Sequence, residues 1–144
     1  MPVTEINHIN LRANRDMMHV LRDFYCDIVG LKVGPRTATT SYGFWLYIND
    51  NDVLHIAEYN KGVGAPDLHV NGTYDHVSFT CTDMPAMEAH LSAHNIAYST
   101  RTLASGTKQI NVKDPAGNGV ELNFEEYADP NYVMRPSGDP NAVA

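Results

Sequence analysis

The chain has 144 residues, 43% of them hydrophobic and 19% charged, which suits one globular domain with an ordinary core and excludes wholesale disorder. Ten Lys and Arg against 17 Asp and Glu give a formal charge of −7, which argues against nucleic acid or an anionic membrane as a partner. No apolar run approaches the roughly 18 residues of a membrane span, and Met1-Pro2-Val3-Thr4-Glu5 lacks the basic and apolar regions of a secretory leader, so neither address is expected.

Taken in chain order, residues 6–11 predict a strand, with polar and apolar side chains alternating from His8 to Leu11. A helix is predicted over residues 17–29, where Met17, Leu21, Phe24 and Ile28 make one apolar stripe. Asn14 and Asp16 offer capping oxygens at its start, and Gly30 stops it. Strands follow at residues 42–48 and 53–57, around the turn-rich Asn49-Asp50-Asn51-Asp52. Residues 60–73, with their glycines and proline, form a connector. A second strand–helix sequence then begins at residue 74. Its helix opens at Thr82-Asp83 with Pro85 in the first turn, and Met84, Met87 and Leu91 supply the buried face up to residue 94. Residues 108–113 and 119–124 are strands joined by Asp114-Pro115-Ala116-Gly117-Asn118. Residues 128–144 carry no periodicity and form an irregular tail.

The order of elements occurs twice. Residues 6–59 can be laid over 74–126, with Ile6-Asn7-His8-Ile9-Asn10-Leu11 matching Tyr74-Asp75-His76-Val77-Ser78-Phe79. Each copy closes on a strand, Val53-Leu54-His55-Ile56 or Gly119-Val120-Glu121-Leu122. His8 precedes His55 by 47 residues and His76 precedes Glu121 by 45, so the copies keep step. The expected fold is α+β: two tandem βαβββ modules, about 4–59 and 74–126, within one domain spanning 1–127.

Strand alternation then places the ionisable residues. Ile9 and Leu11 oppose His8 and Asn10, and Val77 and Phe79 oppose His76 and Ser78. Leu54 and Ile56 oppose His55, while Val120, Leu122 and Phe124 oppose Glu121 and Asn123. All four strands thus turn an apolar face one way and a potential metal ligand the other. A glutamate on such a face is costly without a cation or donor to meet it. Imidazoles and a carboxylate with open positions suit one divalent transition metal, Fe(II), Mn, Co, Ni or Zn, more than Mg or Ca. A metal-free polar pocket is the alternative. His19, His90 and His94 read as solvated helix faces, His69 lies in the connector, and Cys26 and Cys81 read as small buried residues of a reduced, cytoplasmic protein.

These residues resemble the vicinal oxygen chelate superfamily: glyoxalase I, bleomycin-resistance-type proteins and extradiol dioxygenases. The resemblance covers about residues 5–126. Its marks are Phe24-Tyr25 and Gly30-Leu31 in the first copy and Asp114-Pro115-Ala116-Gly117-Asn118-Gly119-Val120-Glu121 in the second. It implies modules whose sheets curve around one metal, ligands at His8, His55, His76 and Glu121, and a homodimer. His8, His76 and Glu121 fall on the ligand trio shared by most branches, and His55 on the position where branches differ. Glyoxalase I has a glutamate there that binds metal and moves a proton. The extradiol pattern places a tyrosine where this chain has Asn111, and a histidine upstream, where residues 95–110 have none. Arg101 and Lys108 are the basic residues nearest to a phosphonate site of the fosfomycin-modifying kind.

The resulting expectation is a metal-dependent, glyoxalase-like lyase or isomerase acting on a small metabolite with adjacent oxygens. His55 would be fourth ligand or general base, and Glu121 ligand or base in its stead. An Fe(II) extradiol-type dioxygenase and a metal-free small-molecule binder, with Trp45, Tyr42 and Tyr47 as stacking surface, are the alternatives.

Overall fold

The computed structural model describes residues 5–37, 41–58 and 74–134; the predicted connector and the tail beyond residue 134 lie outside the described residues. The elements run β1 (Ile9–Ala13), α1 (Arg15–Asp23), a π-helical segment (Phe24–Val29), β2 (Lys32–Gly34), β3 (Gly43–Ile48) and β4 (Asn51–Glu58). After the connector come β5 (His76–Thr80), α2 (Met84–Ala93), β6 (Ser99–Thr102), β7 (Lys108–Lys113), β8 (Gly119–Phe124) and a 3-10 turn at Glu125–Tyr127. No described helix is long and apolar enough to cross a membrane.

Contacts divide the chain into two units, Met1–Thr73 with Asp114–Asn118, and Tyr74–Lys113 with Gly119–Ala144. Each holds one four-stranded mixed sheet, ordered β1-β4-β3-β2 and β5-β8-β7-β6. The orders are equivalent, so the duplication in sequence is a duplication in topology. Registers match as well. β1 runs parallel to β4 with Asn10 beside His55, and β5 runs parallel to β8 with Ser78 beside Glu121.

In the first unit Leu46, Leu54 and Ile56 are fully buried under Met18, Leu21 and Ile28 of the helical layer. In the second, Ile110, Val120, Leu122 and Phe124 are buried together with Leu91 of α2. Burying each such side chain contributes about 1.5–3 kcal/mol. The caps follow the sequence. Asn14 Oδ1 accepts the Met17 N–H at 2.9 Å, and Asp83 Oδ1 accepts that of Ala86 at 3.1 Å.

β1 starts at Ile9 rather than residue 6, so His8 precedes it, and two further details depart from expectation. The predicted helix over 17–29 begins at Arg15 and is α-helical only to Asp23, after which the wider π turn takes over. Gly30, at φ +100°, and Leu31 both donate to the Tyr25 carbonyl (3.0 and 2.8 Å), closing the segment. The wider turn brings neighbouring Phe24 and Tyr25 both inward, edge to face at 5.3 Å. The stripe is therefore Met18, Leu21, Phe24, Tyr25 and Ile28, with Met17 only half-buried.

The second departure is at the 49–52 turn. It is tighter than predicted: Asn49 and Asp50 make it, with Asn49 at φ 52°, while Asn51 and Asp52 already belong to β4. The β7–β8 turn is self-capped. Buried Asp114 accepts the Ala116 and Asn118 N–H groups on Oδ1 (2.9 and 2.8 Å), and Asn118 Nδ2 and Tyr25 OH on Oδ2 (2.9 and 2.8 Å).

Candidate functional site

The four predicted ligands occur as two pairs, one in each unit. In the first, His8 sits one residue before β1 and His55 lies in the middle of β4. Their rings stack at 3.8 Å and 18°. Trp45, the cross-strand neighbour of His55, stacks on the same imidazole at 4.3 Å and 2°. Two rings at these separations cannot share one face of an imidazole, so His55 lies between them. It is 8% exposed.

Its Nε2 is 2.7 Å from Asp52 Oδ2. A carboxylate only accepts, so Nε2 carries the hydrogen and Nδ1 of the neutral ring keeps the lone pair. The hydrogen bond from His55 holds the Asp52 carboxyl below the usual aspartate range. His8 is fixed differently: its Nδ1 donates to Asn7 Oδ1 at 2.7 Å, leaving Nε2 as the acceptor nitrogen.

In the second unit His76 opens β5 and Glu121 lies in β8. His76 Nδ1 donates to Asp75 Oδ2 at 2.6 Å, and this bond holds the Asp75 carboxyl below its ordinary value. His76 Nε2 is thereby turned outward and stands 4.0 Å from Glu121 Oε2. The other carboxylate oxygen is anchored. Ser78 Oγ and Asn123 Nδ2 both donate to Glu121 Oε1, at 3.1 and 2.9 Å. Asn123 Nδ2 also donates to Ser78 Oγ, and its own Oδ1 accepts from buried Gln109 at 2.9 Å.

His8 and His76 thus carry the same device at repeat-equivalent positions. The side chain one residue earlier takes Nδ1–H and aims Nε2. A metal-binding histidine is ordinarily held in this way, its second nitrogen tied to a carboxylate or carbonyl. With imidazole nitrogens and an anchored carboxylate on offer, the donors fit a divalent transition metal. Among the described residues no three His, Cys, Asp or Glu side chains gather closely enough to hold an ion.

Asn7, Asp75, Asp52 and the Gln109–Asn123–Ser78 relay were not singled out from sequence. The first two had a visible signal, an Asn or Asp directly before each strand histidine in the aligned copies. The aromatic residues divide. Trp45 is on the site face, whereas Tyr47 donates to the Pro35 carbonyl at 2.6 Å and Tyr42 lies beside His19, under the Arg15 guanidinium. His19 stacks edge to face on Phe44, and His94 Nδ1 donates to the His90 carbonyl at 2.9 Å. Cys26 and Cys81 are half-buried rather than fully buried free thiols, and burial pushes both thiol pKa values up.

No family model and no curated protein matches the chain. Solved structures do. A lactoylglutathione lyase from Agrobacterium tumefaciens is 18% identical with a TM-score of 0.62, over 86% of this chain and 96% of that one. A glyoxylase/bleomycin resistance protein/dioxygenase domain from a Frankia species is 18% identical with a TM-score of 0.66, over 85% and 98%. An antibiotic-binding protein from a Streptomyces species is 17% identical with a TM-score of 0.62, over 86% and 98%. With its paired βαβββ modules and these likenesses, the chain has the fold of the vicinal oxygen chelate superfamily, to which glyoxalases, bleomycin-resistance proteins and dioxygenase domains belong.

Proposed function

We propose that the protein is a metal-dependent lyase or isomerase of the glyoxalase kind, acting on a small metabolite with adjacent oxygens. His8, His76 and Glu121 would hold the metal and His55 would move the proton. The observation that carries this reading is the matched preparation of His8 and His76, each with Nδ1 tied to the residue before it and Nε2 left to bind. A divalent transition metal supplies Lewis acidity toward negative charge developing on a substrate oxygen.

The remaining chemistry belongs to the chain. His55 Nδ1 takes a proton from a carbon beside a carbonyl, and Asp52 at Nε2 stabilises the imidazolium that forms. Returning that proton to the neighbouring carbon or oxygen isomerises the substrate with no net change in protons. Trp45 and His8, stacked on either side, fix the ring plane. Ser78 and Asn123 keep Glu121 Oε1 occupied, so Oε2 is the oxygen left for a ligand. Asn111, the strand neighbour of Glu121, presents an amide where the extradiol pattern would have a phenol, which favours proton transfer over ring cleavage.

Elemental analysis of untagged protein, beside His8→Ala and His76→Ala, tests the proposal. Near-stoichiometric metal in the parent, lost in both variants, is expected. Iron together with oxygen uptake on catechols would redirect the reading to a dioxygenase. A parent protein that binds no metal on titration would sink it. A metal-free binder would then lead, and that second reading draws on the flat His8–His55–Trp45 stack and on the likeness to the antibiotic-binding protein.

A further inference from the structure

The site face of the first sheet holds one more charged group. Gly43 opens β3 two residues before Trp45, so the positions share a face, and on that face the Trp45 indole lies against His55. Where a side chain at Gly43 would project, the guanidinium of Arg36 stands instead. A Cβ added at Gly43 would clash with the Ile56 carbonyl oxygen, and it would come within 3.0 Å of Arg36 Nη2 and 3.2 Å of Cζ. The bare glycine thus answers first to the neighbouring strand's backbone, and it also leaves the space that the arginine fills.

Ser41 fixes the guanidinium from one side. Nη1 donates to its carbonyl at 2.8 Å and Nη2 reaches its hydroxyl at 3.4 Å. Among the described residues Nε is buried without a hydrogen-bond partner, and no carboxylate pairs with Arg36. Two other arginines of the same unit are treated differently. Arg15 pairs with Glu58 and Arg22 with Asp23, and their guanidinium groups lie over Tyr42 and Phe44, on the helix side. Ser41 takes only one hydrogen from each Nη, and the Arg36 side chain is half-buried rather than sealed, so the guanidinium keeps donors that an anion can reach.

We propose that Arg36 is the oxyanion-binding residue of the site carrying His8, His55 and Trp45, and that the ligand is a small organic acid. Its carboxylate or phosphate would lie on Arg36 and its body along the Trp45 row, two strand steps or about 7 Å away. The planar guanidinium fork matches both anions in a two-bond geometry that an ammonium does not reproduce. The assignment deepens the proposed function and rests on that reading of the face as a binding site.

Trp45 is the sole tryptophan, so its emission reports occupancy of this face. We would titrate the protein, metal-loaded and EDTA-treated, with benzoate, phenyl phosphate and neutral benzamide. Saturable quenching by an anion is expected, with benzamide at least about tenfold weaker. The tighter of the two anions assigns carboxylate or phosphate. Arg36→Gln should weaken the anions by about 10–100-fold and leave benzamide unchanged. Arg36→Lys should lie between, keeping the charge and losing the fork, and it keeps the test readable if Arg36→Gln fails to fold.

Anion affinity unaltered in either variant, or no preference for the anions over benzamide, overturns the assignment. Metal content is read separately. A protein that binds no metal yet discriminates anions through Arg36 overturns the metal reading and leaves this one standing, whereas a metal-loaded protein without that discrimination does the reverse.

Discussion

The two units share a topology and a register, yet their closing strands present different side chains in different surroundings. In the second unit the closing strand presents Glu121, anchored through one oxygen by Ser78 and Asn123, with the other facing His76 Nε2. In the first, the equivalent position presents His55, pressed between two rings and bonded through Nε2 to a carboxylate of its own. A duplicated scaffold fixes where a side chain stands. Its neighbours decide what it can do there: under the proposed function, the second unit supplies a ligand pair and the first a ligand beside a base.

The sharpest way to break this contrast is to remove each closing-strand residue in turn. Glu121→Ala should lower metal affinity by more than the roughly 100-fold that loss of an outer partner brings. His55→Ala should keep its metal while turnover falls about 10²–10⁴-fold, the usual contribution of a general base. Metal content and kcat measured on both variants decide the matter. Equal metal loss in the two would return His55 to the ligand set and erase the division of labour.

The scaffold itself should respond symmetrically. Ile56 of β4 and Leu122 of β8 occupy equivalent positions, and each is 1% exposed. Ile56→Ala and Leu122→Ala should each destabilise by about 2–5 kcal/mol, read by urea unfolding. A large inequality would mean that the two cores, alike in topology, differ in how well they close over a cavity.

A finer comparison concerns the residues that aim the histidines. Asp75→Ala should weaken metal binding by about 10–100-fold, because His76 loses the acceptor that orients Nε2 and raises its basicity. Asn7→Ala should do less, since a neutral amide oxygen polarises His8 more weakly than a carboxylate. Metal competition titrations on the two variants would rank them. The reverse order would show that orientation outweighs basicity in this site.

Much of this was legible in the sequence, for a physical reason. Period-2 alternation and an internal repeat constrain one another, so the sequence by itself places His8, His55, His76 and Glu121 on one kind of face. Adjacent apolar residues were harder. Met17 and Met18 both lie within one turn of Leu21, and burial falls on Met18, in line with Leu21, Tyr25 and Ile28. Asp52 looked like one of four turn residues. The register shift between Leu46 and Tyr47 and the tight Asn49–Asp50 turn bring it into β4, within reach of His55. Which of Tyr42, Trp45 and Tyr47 stacks on the site depended on that same cross-strand register, which the composition of the strand does not encode. The roles of Asn7 and Asp75 depended on rotamers, although their positions in the aligned copies were plain.

The smallest expected difference lies at the helix starts. Asn14 caps α1 from an extended backbone (φ −66°, ψ 163°), so Asn14→Ala removes one hydrogen bond to the Met17 N–H and should destabilise by about 1 kcal/mol. Asp83 caps α2 from φ 61°, a left-handed conformation that Asp tolerates better than Ala, and its own N–H donates to Glu126 Oε1 at 2.9 Å. Asp83→Ala therefore loses the cap and adds backbone strain, and should exceed Asn14→Ala by several tenths of a kcal/mol. Asp83→Gly separates the two contributions, since glycine relieves the strain and, at a cap, sacrifices only a few tenths of the stability. Thermal unfolding should rank the variants Asp83→Ala, then Asn14→Ala, then Asp83→Gly, in order of decreasing loss. If Asp83→Gly were as damaging as Asp83→Ala, the side-chain hydrogen bond alone would account for the effect, and the two helix starts would differ in geometry but not in energy.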